Sequence, residues 1–132
     1  MSKLAIAVLG SIVAMSAMAQ GSGAKMTREE LMSFLPGTKV THFNAGGSER
    51  HWTNEPDGKL YANTNNKSLG SYTGLQSAGH WGTWKVSDEG KYCIDIDWKT
   101  IGEKWCATIL KGEGDTYYLG KVDEKRKIVF AK

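Results

Sequence analysis

The chain has 132 residues, with 17 basic and 14 acidic side chains and a formal net charge of +3. That length leaves room for one domain, and the near-balanced charge excludes the broad basic face of a nucleic-acid-binding protein. The basic cluster Lys125-Arg126-Lys127 directly follows Asp123-Glu124 and reads as a solvated turn.

Met1-Ser2-Lys3 supplies a positive start, Leu4 to Met15 (LAIAVLGSIVAM) is apolar, and Ala17-Met18-Ala19 has the small-x-small form that signal peptidase accepts. This is the pattern of a secretory signal peptide cleaved after Ala19. The apolar run is too short for a membrane span, which needs roughly 20 residues. Removing 19 of the 132 residues leaves 113, Gln20 to Lys132, with 16 basic and 14 acidic side chains once Lys3 is gone. The expectation is a periplasmic or secreted monomer, with no membrane insertion after cleavage and no nucleic-acid partner.

Gln20 to Lys25 (QGSGAK) reads as a flexible lead-in to a single domain over residues 26–132. In MTREELMSFLPG, Thr27 and Glu30 form a capping box, and Leu31, Phe34 and Leu35 recur at helical spacing before Pro36-Gly37 ends the segment. A two-turn helix is not stable alone, so its apolar side must cover something. From Thr38 the period changes. Runs rich in Val, Ile, Thr, Tyr and Trp alternate with turn signals such as Asn44-Ala45-Gly46-Gly47 and Pro56-Asp57-Gly58. About eight strands are predicted, over 38–44, 48–54, 59–64, 80–86, 91–98, 104–111, 116–120 and 127–131. The fold class is mainly β: an antiparallel meander forming a small lipocalin-like barrel or half-barrel. The polar, glycine-rich stretch Asn63 to Gly79 is a long loop of the kind that carries function or is disordered.

Cys93 and Cys106 are the two cysteines, and in an exported chain their simplest state is one disulfide. If Ser87 to Gly90 is a four-residue turn, Trp84 faces Cys93, and if the next loop is centred between Lys99 and Thr100, Cys93 faces Cys106. Trp84 then backs the bridge as a structural residue, with Gly90 in the turn. The other face of this hairpin, with Tyr92, Ile94, Ile96, Trp98, Trp105, Ala107 and Ile109, is the natural core.

Chemistry is sparse. Asp95 and Asp97 share a strand face without a cleft to shift their acidity, so no catalytic residue is assigned and no enzyme is expected. His42, His51 and His80 show no close ligand spacing, so no metal or other cofactor is expected. Five tryptophans and five tyrosines are many for this length. Trp52, His80, Trp81 and Tyr117 are candidate ligand-binding residues, because aromatic groups at a barrel mouth hold apolar ligands, sugar rings or proteins.

The segments Thr27 to Gly37 (TREELMSFLPG) and Gly82 to Cys93 (GTWKVSDEGKYC), closed by Trp105-Cys106, resemble a family of small exported bacterial proteins whose function is uncharacterised. The resemblance implies a signal peptide, a short helix and a β-rich domain with paired cysteines. It supplies no activity. The functional expectation is a non-enzymatic binding module for a small apolar ligand or an envelope protein. The alternative is an inhibitor or immunity-type protein acting on an envelope hydrolase.

Overall fold

The structure, a computed structural model, describes residues 23–43, 48–64, 79–98 and 101–132. The expected leader, the start of the lead-in, the Asn44–Gly47 turn and all of the long loop except Asn63, Thr64 and Gly79 lie outside the described residues. No described helix is long and apolar enough to cross a membrane.

Helix α1 spans Arg28–Phe34. It is followed by β1 (Lys39–Phe43), β2 (Glu49–Thr53), β3 (Lys59–Thr64), β4 (His80–Val86) and β5 (Tyr92–Asp97). Then come β6 (Gly102–Ala107), β7 (Ile109–Lys111), β8 (Thr116–Leu119), a 3-10 turn at Glu124–Arg126, and β9 (Lys127–Ala131). All pairings are antiparallel, in the order β6-β5-β4-β3-β2-β1-β9-β8-β7, so the meander wraps into a nearly closed barrel. The two ends of that order, β6 and β7, are consecutive in the chain and separated only by Thr108. Sequence alternation predicts one strand over 104–111. The chain instead bends at Thr108, pairing with β5 before it and with β8 after it. The two ends of the sheet therefore meet through one shared segment, which leaves the barrel nearly closed.

The capping box forms as the sequence predicts. Thr27 Oγ1 accepts from the Glu30 amide at 3.1 Å, and Glu30 Oε1 accepts from the Thr27 amide at 2.9 Å. The Thr27 amide, the largest influence on it, holds the Glu30 carboxyl below the usual carboxylate range. Leu31 and Leu35 are fully buried, and the Phe34 ring packs against Tyr117 at 5.6 Å. Gly37 donates to the Asn54 carbonyl, and the Gly90 turn lies against Arg28, so the helix covers the end where β1 begins. Beneath it lie Val40, Trp52, Leu60, Trp84, Tyr92 and Phe130, all buried.

Asn54 is buried in this half and fully engaged. Its Nδ2 donates to Thr38 Oγ1 at 2.8 Å, and its Oδ1 accepts from the Tyr92 hydroxyl at 2.6 Å and from Trp52 Nε1 at 3.2 Å. Burial pushes the Tyr92 hydroxyl well above the usual tyrosine range, so it serves here as a donor.

Two expectations are corrected. Gly90 has φ +85°, and Ser87 donates to the Lys91 carbonyl at 2.8 Å, giving a three-residue loop whose last residue needs the left-handed region. The β4–β5 register thus pairs Trp84 with Ile94 and Lys85 with Cys93. Trp84 points inward, its Nε1 donating to the Glu55 carbonyl at 2.8 Å, rather than facing the disulfide. The lead-in is the second case. Gly23 and Met26 donate to the carbonyls of Lys111 and Ile109, and Lys111 donates to that of Ala24, so the described part runs as an edge along β7. Its small residues carry no periodicity that could announce this.

Cys93 and Cys106 are directly opposed on β5 and β6 and disulfide-bonded, with Cα atoms 4.0 Å apart. The bond ties the first half of the shared segment to β5, its one strand partner among the described residues. A bridge over 13 residues contributes on the order of 3 kcal/mol in the chain-entropy treatment. The Cys93→Ala/Cys106→Ala variant is expected to melt roughly 10 °C lower. An unchanged melting temperature in calorimetry would show that the hairpin needs no staple.

Candidate functional site

The barrel has two unlike ends. Away from the helix, alternation turns His42 on β1, Arg50 on β2, Thr64 on β3 and Glu103 on β6 inward, with His42 opposite Arg50 and Arg50 opposite Thr64. Glu103 reaches the interior because it shares a face with Trp105 and Ala107. Its Oε1 accepts from Trp98 Nε1 at 2.9 Å and lies 3.1 Å from Arg50 Nη2, while its Oε2 accepts from Trp105 Nε1 at 2.9 Å. Three donors meet on this one carboxylate, from β2, from β6 and from Trp98 just past the end of β5.

The Arg50 and Glu103 side chains are only 9% and 12% exposed. An ion pair this buried costs desolvation that a single contact does not offset, so its remaining donors and acceptors must find partners. Glu103 meets that demand through the two indoles. Arg50 does not: its Nε and Nη1 are buried and without a hydrogen-bond partner among the described residues. His42 Nδ1 lies 3.7 Å from Glu103 Oε2, too long for a hydrogen bond, and is likewise unpartnered. Burial, reinforced by Arg50 and opposed by Glu103, lowers the His42 imidazole from 6.5 to about 4. At neutral pH His42 is therefore uncharged, packed 5.3 Å from the Trp105 ring, and the 3.7 Å approach is not an ion pair.

A cavity of about 650 Å³ opens beside this cluster. It exists because β7 and β8 stop pairing after Gly120 donates to the Thr108 carbonyl at 2.8 Å. From there the chain through the 3-10 turn diverges from β6. Arg50, His42 and Glu103 line the cavity from the barrel interior, and Phe43, Trp105, Ala107 and Leu119 give it apolar walls. Lys121, Asp123, Lys125 and Arg126 line it from the diverging segment. The volume falls within the roughly 300–1,000 Å³ of small-molecule sites.

The four residues singled out from sequence do not converge. Trp52 lies in the packed half, its Nε1 donating to Asn54 and to the Tyr92 hydroxyl. Tyr117 is half-buried, 5.1 Å from the Phe130 ring. His80 turns inward and packs at 5.3 Å from Trp98. Trp81 is on the outer face, 66% exposed, beside Tyr61 at 4.6 Å. None of the four lines the cavity described above. Of the other groups weighed, Asp95 and Asp97 are exposed on the outer face, Asp95 lying 4.0 Å from Lys104. His51 is also outside, within 3.2 Å of the Thr41 hydroxyl. Among the described residues, no three His, Cys, Asp or Glu side chains are grouped as a metal site would need.

Arg50 and Glu103 are the residues that sequence reasoning missed. A signal for each existed: Arg50 alternates with Trp52, and Glu103 alternates with Trp105 and Ala107. Starting the predicted strand at residue 104 left Glu103 in a loop and hid that it faces inward.

His42 makes stability depend on pH. Its folded value lies below its ordinary 6.5, so its contribution is fully present above that pH and is lost as pH falls towards about 4. Over that window the wild type should lose up to about 3 kcal/mol more than His42→Gln, measured by urea unfolding. Parallel pH profiles for the two proteins would contradict a buried neutral imidazole. Comparison of the chain with protein-family models, curated proteins and solved structures gives no match in any of the three.

Proposed function

We propose that this protein is an exported, non-enzymatic binding module that holds a small amphipathic ligand in the cavity between β6 and the Leu119–Arg126 segment. The observation that carries the reading is the pairing of apolar walls with buried polar groups that have no partner. Trp105, Ala107 and Leu119 offer an apolar chain or ring a dry surface, and Arg50 offers directional donors beside it. Binding sites combine those two elements. Binding is favoured over turnover because Glu103, the buried carboxylate of the site, is held by Arg50 and two indoles, which leaves it poorly placed to shuttle a proton.

Export is part of the same proposal. It is supported by the signal-peptide pattern of residues 1–19, by the resemblance to exported proteins, and by the disulfide, which persists in oxidising compartments. Expressed from the full sequence, the protein recovered outside the cytoplasm should have Gln20 as its first residue by intact mass. A recovered chain that retains Met1 to Ala19 would count against cleavage.

For the cavity, the neutral fluorescent probe N-phenyl-naphthylamine should bind with roughly micromolar affinity. Ala107→Phe, which fills the wall, should abolish the signal while changing stability by no more than about 3 kcal/mol. A probe signal that survives Ala107→Phe in a folded protein would place binding elsewhere.

A further inference from the structure

We propose that the ligand carries an oxyanion headgroup, a carboxylate or a phosphate monoester, that is bound by the Arg50 guanidinium inside the cavity. This deepens the binding-module reading and rests on it.

The first argument is the state of Arg50. Its side chain is nine-tenths buried, one terminal nitrogen is held by Glu103, and Nε and Nη1 are buried with no acceptor among the described residues. Buried N–H groups left unpaired cost free energy, more so on a charged group, and only an acceptor that enters the cavity can recover it. Glu103 cannot turn to serve them, because both of its oxygens already accept indole donors. It acts instead as a positioning residue, fixing the guanidinium from one side and leaving Nε and Nη1 unpaired among the described residues until an acceptor reaches them from the cavity.

The second argument is charge. Arg50, Lys121, Lys125 and Arg126 line the cavity against two carboxylates, Glu103 and Asp123, and the imidazole of His42 adds no charge at neutral pH. The lining thus has an excess of positive charge that an anion would reduce and a cation would increase. A neutral carbonyl or hydroxyl would satisfy some Arg50 donors but leave that excess in place. The apolar walls set the other half of the ligand: Phe43, Trp105, Ala107 and Leu119 suit an alkyl chain or ring, so free phosphate or acetate lacks the part that would hold it.

The test is calorimetric titration of the disulfide-intact protein with decanoate, decyl phosphate, decanol and decyltrimethylammonium. Decanoate or decyl phosphate should bind at least about tenfold more tightly than decanol, with the cation weakest. Whichever acid binds more tightly identifies the headgroup class. Because Arg50→Gln alone strands Glu103 and could unfold the barrel, the decisive variant is Arg50→Gln/Glu103→Gln, with its fold checked by near-ultraviolet circular dichroism. It should retain decanol binding and lose the preference for the acid. Decanol binding as tight as decanoate in the wild type would overturn the headgroup assignment while leaving the binding module intact. A preference that survives in the double variant would also overturn it, assigning the anion to the lysine-rich segment. Absence of binding by all four probes would overturn both readings.

Discussion

The structure depends on one segment having two neighbours in succession. Gly102 to Lys111 pairs with β5 through its first half and with β8 through its second, and this sharing closes the sheet. A straight strand paired along both edges would seal the barrel throughout. Because the segment changes partner at Thr108, β6 has among the described residues no ladder on the side facing Leu119 to Arg126, and the cavity lies there. Closure and access come from the same bend. The disulfide then has a clear mechanical role, since it fixes the half of the segment that, among the described residues, has one strand beside it.

The two buried polar clusters show how differently the ends of the barrel are specialised. Around Asn54 the side-chain amide, two hydroxyls and an indole answer one another in a region sealed by the helix. A fully satisfied network of this kind fixes a unique packing arrangement and contributes rigidity. Around Glu103 the carboxylate is satisfied but the guanidinium and the imidazole are not. Each unmet donor costs about 1–3 kcal/mol, a sizeable fraction of the net stability of a small domain. Stability is concentrated under the helix, and unmet interaction capacity is concentrated at the opposite end.

Local patterns made most of the architecture legible in the sequence. The capping box at Thr27 and Glu30, the β-branched runs and the Cys93–Cys106 pair follow from short-range chemistry, and each appears close to where the sequence puts it. What was not legible depended on one-residue distinctions. A loop of three rather than four residues before Lys91 moved Trp84 from the disulfide's neighbourhood to the core. A strand starting at Gly102 rather than Lys104 brought Glu103 inside. The aromatic residues drew attention by their number, yet Trp52 serves the sealed half and Trp81 faces outward. The candidate site rests on charged residues instead, which composition gives no reason to place in an interior.

The pairing of residues 23–26 with β7 has a consequence for how the protein behaves in a crowded solution. β7 carries Ile109 and Leu110, and its outer backbone groups would otherwise be an exposed strand edge, the kind of surface on which chains stack upon one another. Gly23 to Met26 occupies that edge, bonded to the backbone of Ile109 and Lys111 and bridged from Lys25 to Leu110. The described residues 23–26 therefore cover the part of β7 that such stacking would need. A chain shortened past Met26 would keep its barrel pairings but expose an adhesive margin, and its solubility would depend on whatever covered it.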